Sequence, residues 1–270
     1  MKSQKLHLKL EEHLDNELAH GKCFFTIHQV KELWGISVSS FRQQARTLQK
    51  KGKIALIRNG FYVIVTPEYR VIGARPVTHY IDGMMKYLNR NYYVGLLNAA
   101  AWHGAAHQQP QSFNVFIQVP FLPDIKKKYA AIHFVYKKNW DQAYILKKET
   151  SAGYFNISSP ALTALDLCSF SKHAGGINNV ATVLNELSDK IEISNLLIVA
   201  EQYNNLVAVQ RLGFIFDYLG KDSHALALKQ ILNGKKYFPA KLESSIKNVE
   251  SKVTGNFWKI IVNEKLEIDE

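Results

Sequence analysis

The side chains in this chain best equipped for chemistry lie close together between Ser39 and Lys50: Ser39, Ser40, Arg42, Gln43, Arg46, Thr47 and Lys50. Their chemistry is recognition. In the major groove, arginine pairs with guanine edges and glutamine with adenine, while lysine and hydroxyl groups hold phosphate oxygens and set the register. No carboxylate interrupts the set, and Lys51, Lys53, Arg58 and Asn59 follow it. Lys53 and Arg58 suit phosphates rather than bases. A solvated helix face in a protein-binding module is the plainer alternative, but the missing acids favour DNA.

Signals for catalysis are mostly negative. The chain has no glycine-rich phosphate loop, HExxH, GxSxG or paired-cysteine motif, and its carboxylates are scattered. His103 and His107 are four residues apart, a spacing that permits a metal, but Gly104 and the lack of a nearby acid favour a structural role. Accordingly no catalytic residue, metal or cofactor is expected. The run Lys172 to Gly176 reads as a helix ending at a double glycine, where positive φ costs nothing.

A second basic group, Lys126, Lys127, Lys128, Lys137, Lys138, Lys147 and Lys148, surrounds predicted strands and is interleaved with Tyr129, Tyr136, Trp140 and Tyr144. Edge protection and solubility form the plain explanation. RNA or another single-stranded polyanion is the sharper one, and it requires the rings to be exposed.

Elements able to position the first set can be read locally. Thr26 caps a helix predicted over Ile27 to Trp34, with Ile27, Val30, Leu33 and Trp34 on its apolar side; Gly35 ends it. Ser37 starts a second helix, Val38 to Lys51, which buries Val38, Phe41, Ala45 and Leu48 and stops at Gly52. Ile54 to Ile57 and Phe61 to Val65 flank Asn59-Gly60, a two-residue hairpin expected to place both turn residues at positive φ. Helix, turn, helix and hairpin in this order spell a winged helix-turn-helix.

After a connection at Thr66 to Arg75 the pattern changes. Helices are expected at His79 to Asn89 and Tyr93 to His103. Strands follow at Phe113 to Val119 and Ile132 to Tyr136, then short ones at Tyr144 to Leu146 and Tyr154 to Ile157. Ser159 and Pro160 open a helical region with further helices at Asn179 to Lys190, Ser194 to Tyr203, Leu206 to Leu219 and Ser223 to Leu232. The expected fold class is α+β: an N-terminal winged helix-turn-helix over 1–70, then a larger mixed α/β domain over 71–270 ending in helices.

Composition points the same way. The formal net charge is +11, and Met1 to Arg75 holds thirteen Lys or Arg against six Asp or Glu, so the excess is concentrated at the N-terminal end. Cys23 and Cys168 sit in apolar surroundings without metal spacing, as buried thiols do in a reducing compartment. With neither a signal peptide nor a membrane-spanning run in view, a cytoplasmic protein without membrane contact is expected.

The run Tyr92 to Pro110, YYVGLLNAAAWHGAAHQQP, resembles a signature block of the AbiEi-type antitoxins of type IV toxin–antitoxin and abortive-infection systems. Ala161 to Asp166, the Lys172 to Gly176 turn, Arg211-Leu212-Gly213 and Tyr237 to Leu242 look like later landmarks of that family. The resemblance implies a protein with two functions. Its N-terminal domain would bind inverted repeats in its own promoter, as monomer or dimer, and repress the operon. Its C-terminal domain would counter a nucleotidyltransferase toxin without requiring a stable complex. The resemblance supplies no catalytic residues; His103, His107, Gln108 and Gln109 are the polar candidates for antitoxicity in the signature block. Two alternatives from other classes are a ligand-responsive winged-helix repressor and a diverged nuclease-like enzyme, which would need an apolar cavity and an acid cluster respectively.

Overall fold

A computed structural model describes residues 9–105, 110, 112–246 and 255–267. The architecture is α+β, and the chain folds into two compact units: Met1–Tyr93 with Val115–Asn139 and Lys147–Asn156, and Val94–Asn114 with Trp140–Leu146 and Ile157–Glu270.

The first unit begins with α1 (Leu10–Ala19), β1 (Phe24–Thr26), α2 (Ile27–Glu32), α3 (Val38–Lys50), β2 (Ile54–Arg58) and β3 (Phe61–Ile64). The three strands form an antiparallel sheet in the order β1-β3-β2. Leu10 and Leu14 of α1, Phe25 of β1, Val30 of α2, and Phe41, Ala45 and Leu48 of α3 close over Ile54 and Ile64 in one core. Phe25 and Phe41 each meet the Tyr62 ring, stacked at 5.2 Å and edge-on at 5.3 Å respectively.

Local signals for the caps hold: the side chains of Thr26 and Ser37 accept the N–H groups of Gln29 and Ser40, each at 3.3 Å. Other expectations need correction. Sequence reading misses α1 and β1 altogether. The second helix of the core stops at Glu32, and Leu33 is 73% exposed; the chain turns through Gly35 at φ 66° and returns Ile36 to the core instead. Val38 is half-buried. At the hairpin Gly60 has φ 76° whereas Asn59 is not at positive φ, because a register shift between Leu56 and Arg58 lets one left-handed residue make the turn.

Thr66 to Arg75 includes a 3₁₀ turn at Pro67–Tyr69, and Arg75 ties its end back by donating to the Ile64 carbonyl (3.2 Å) and the Thr66 hydroxyl (3.1 Å). Then come α4 (Ile81–Tyr87), β4 (Tyr92–Val94), α5 (Leu96–Trp102), β5 (Phe113–Ile117), β6 (Ile125–Lys127), β7 (Ala130–Tyr136), β8 (Ile145–Thr150) and β9 (Gly153–Ser158). Six of these are strands of one mixed sheet, ordered β6-β7-β5-β4-β9-β8, with β4 parallel to β9 and β6 antiparallel to β7. The helix expected over Tyr93 to His103 is thus two elements. Tyr92 to Val94 is a buried strand, and Gly95 separates it from α5. Tyr144 ends a 3₁₀ turn, and the strand expected there runs from Ile145 to Thr150.

The second unit is dominated by α6 (Pro160–Ser169), α7 (Ile177–Leu187), α8 (Ile193–Gln202), α9 (Leu206–Tyr218) and α10 (Asp222–Leu232), followed by the parallel pair β10 (Ala240–Lys241) and β11 (Ile260–Ile261). Ser159 caps α6 on the Leu162 N–H at 3.3 Å, with Pro160 at the first helical position. Ser171–Ala174 is a 3₁₀ turn rather than the end of an α-helix; Gly175 and Gly176 follow it at φ 80° and 92°. No described helix is long and apolar enough to cross a membrane.

Candidate nucleic-acid interface

Because Phe41, Ala45 and Leu48 turn inward, the opposite side of α3 is left to solvent, and Ser39, Ser40, Arg42, Gln43, Arg46, Thr47 and Lys50 are all exposed on it. Among the described residues neither Arg42 nor Arg46 forms an ion pair with a carboxylate. Burial raises the pKa of the Tyr62 hydroxyl above the ordinary phenol range, and the charge of Arg42 opposes that shift from nearby. Three groups on the face have local partners: Thr47 donates to the Gln43 carbonyl at 3.3 Å, Ser40 accepts from Gln44 at 2.9 Å, and the Ser39 hydroxyl lies 3.2 Å from that of Ser37.

Gln44 is a residue that sequence reading missed. Its Nε2 meets Ser40, and its Oε1 accepts the Leu10 N–H at 2.9 Å, so one amide fixes the start of α1 against α3 and satisfies an otherwise open donor. The only hint in the sequence is its place at the border between the buried stripe and the exposed face.

Hairpin residues are more engaged than their sequence suggests. Lys53 forms an ion pair with Glu11, which lowers the pKa of that carboxyl. Arg58 donates from Nη1 to the Pro123 carbonyl at 3.2 Å and keeps further guanidinium donors. Asn59 is exposed, while its carbonyl accepts from Tyr87 at 3.4 Å.

Of the second basic group, Lys126, Lys128, Lys138 and Lys147 are exposed, whereas Tyr129, Tyr136, Trp140 and Tyr144 are all half-buried. None of these rings is fully exposed, as an open stacking platform for single-stranded nucleic acid would have them. Lys126 and Lys127 lie on β6, and Lys147 and Lys148 on β8, the two outer strands of the six-stranded sheet. Lysine at that position discourages pairing with another strand.

In the second unit, His103 follows α5 and its Nε2 lies 2.8 Å from the carbonyl oxygen of buried Ser158. His107, Gln108 and Gln109 lie outside the described residues. No group of three or more His, Cys, Asp or Glu side chains converges as metal ligands among the described residues. The later landmarks prove to be internal fastenings. Fully buried Asp166 accepts from Tyr203 at 2.7 Å; Arg211 donates to the carbonyls of Cys168 (3.1 Å) and Lys241 (2.9 Å); Gly213 leaves room for the buried Trp258 ring. Burial pushes the Cys168 thiol up to about 12, leaving it protonated at neutral pH.

The model of the AbiEi antitoxin C-terminal domain matches residues 93–218. That match agrees with the resemblance read from the sequence and supports an antitoxin role in a toxin–antitoxin system. Among solved structures, the RV2827C protein from Mycobacterium tuberculosis superposes with a TM-score of 0.67 at 14% identity, covering 93% of this chain and 90% of that one. At this identity the likeness concerns the fold alone. No curated protein matches the chain.

Proposed function

We propose that the chain is an antitoxin that also represses its own operon, with α3 reading promoter DNA as the recognition helix of a winged helix-turn-helix. The observation that carries the DNA reading is the exposed face of α3, where seven polar or cationic residues and no acid stand above a buried Phe41-Ala45-Leu48 stripe. Arg42, Gln43 and Arg46 supply base contacts; Ser39, Ser40, Thr47 and Lys50 supply phosphate contacts. Arg58 and Asn59 contact the backbone from the hairpin, and Lys53 joins them by exchanging Glu11 for a phosphate. Inverted repeats would suit two copies bound at half-sites.

The antitoxin reading rests on the matched domain. We place the counteraction of a nucleotidyltransferase toxin in that C-terminal part, acting without catalysis and without an obligatory stable complex. Titration of Arg42→Ala and Arg46→Ala on the upstream promoter fragment tests the recognition helix. Each is expected to cost about 1 to 3 kcal/mol of specific binding and to relax preference at one position. Unchanged affinity and preference in both variants would remove α3 from the groove.

A further inference from the structure

β2 is an outer strand of the three-stranded sheet, so its outward carbonyls need partners from elsewhere. Leu56 finds two. Its carbonyl oxygen accepts from the Lys127 ammonium at 2.5 Å and from the Tyr129 hydroxyl at 3.0 Å, both within the same compact unit. Tyr129 is also packed closely against Gly73, where an added Cβ would lie 3.2 Å from the Tyr129 Cβ. At the tip of the hairpin, Tyr87 donates to the Asn59 carbonyl, and a Cβ at Gly60 would lie 2.3 Å from the Tyr87 hydroxyl. The tip therefore sits directly against α4. Arg58 reaches the Pro123 carbonyl. Side chains and carbonyls from three separate stretches of chain thus grip one hairpin, and every hydrogen bond involved has a backbone carbonyl as acceptor.

We infer that Lys127 and Tyr129 are positioning residues for DNA recognition: they hold the wing at a fixed offset from α3, and the DNA-reading unit therefore extends past residue 70 to at least Tyr129. This rests on the DNA reading proposed above. Lys127 belongs to the basic group by sequence, yet its ammonium is directed at a carbonyl, and burial lowers its pKa below that of a free lysine. Its charge is used inside the protein. The base of the hairpin is fixed by the pairing of β3 with β1 and by Ile54 and Ile64 in the core with α3. Without the clamp on Leu56 the outer part, Leu56 to Gly60, would sample several offsets, and its phosphate contacts would be made by a fraction of the population.

The test uses the full chain with Lys127→Met/Tyr129→Phe, Tyr129→Phe alone and Lys127→Gln. The double variant leaves Leu56 without either donor. It is expected to bind promoter DNA about tenfold more weakly and to lose about one unit of the slope of log affinity against log salt, with base preference from α3 unchanged. Lys127→Gln keeps a donor without the charge and is expected to bind close to wild type. Amide exchange over Ile54–Ile64 should be faster in the double variant and, by a smaller factor, in Tyr129→Phe, which keeps the Lys127 bond and serves if the double variant does not fold. Unchanged exchange in Tyr129→Phe and in a folded double variant would overturn the inference whatever the DNA result. Equal loss of binding in Lys127→Gln and the double variant would also overturn it, by making Lys127 a direct phosphate ligand. Faster exchange combined with a wild-type chain that binds no promoter DNA would sustain the clamp and refute the DNA reading instead.

Discussion

Replacing Gly213 by alanine should destabilise the second unit, although alanine is the better helix former. Gly213 lies inside α9, and its backbone is ordinary helix, so the substitution by itself gains about 1 kcal/mol of helix propensity. The new Cβ would stand 2.1 Å from Cη2 and Cζ3 of Trp258 and 2.6 Å from Cε3. Carbon atoms in contact need about 3.5 to 4 Å, so the ring or the helix must move by more than an ångström. The ring has little freedom. It is 1% exposed, its Nε1 donates to Asp217 at 2.6 Å, and Phe257 packs edge-on against it at 5.3 Å. Overpacking of this kind costs about 1 to 3 kcal/mol and sometimes more, while expelling the ring altogether would approach the roughly 3 to 5 kcal/mol of a large-to-small core change. With the ring so tightly held the cost lies at the upper end, and after the helix gain is subtracted the net expectation is a loss of about 2 kcal/mol, a fall in Tm of about 4 to 8 °C for a chain of this size. Urea melts followed by tryptophan fluorescence measure it, and Trp258→Ala supplies the decisive control. In that background Gly213→Ala should cease to destabilise and recover its helix gain, a coupling of more than about 1 kcal/mol. Equal effects of Gly213→Ala with and without the ring would refute the reasoning.

Two further outcomes follow from the same unit. Burial opposes ionisation of the Glu243 carboxyl, but the N–H groups of Ser245 and Ile177 and the charge of Arg211 outweigh it and hold the pKa below the ordinary carboxylate value. Its stabilising contribution is therefore complete above that ordinary value and is lost as pH falls through the lowered one; Glu243→Gln should flatten this part of the stability–pH curve and cost about 1 to 3 kcal/mol at neutral pH, checked by urea melts from about pH 3 to 7. His103→Ala should cost about 1 kcal/mol of stability through its bond to the Ser158 carbonyl while leaving protection against the cognate toxin intact in growth assays; loss of protection at unchanged stability would make His103 a functional residue.

What could be read from the sequence was whatever is decided within a turn or two of chain. Thr26, Ser37 and Ser159 are caps because each hydroxyl needs only an N–H three residues on. The exposed face of α3 was legible because Phe41, Ala45 and Leu48 fall on one side of any helix built from these residues. Helices α6 to α10 were visible for the same reason. Tertiary structure decided the cases in which the partner is distant in sequence. Tyr93 and Val94 look helical beside α5, yet Val94 is a strand residue because it pairs with Ile157. Gln44 is an ordinary polar residue until Leu10 presents its N–H, and Asp166 an ordinary acid until Tyr203 reaches it. Lys127 and Tyr129 have the composition of a nucleic-acid surface, and only the outer edge of β2, folded against them, turns them to the Leu56 carbonyl. A side chain's type sets which bonds it can make; whether its partner is water, phosphate or a carbonyl far away in the chain depends on which backbone groups folding leaves unsatisfied beside it.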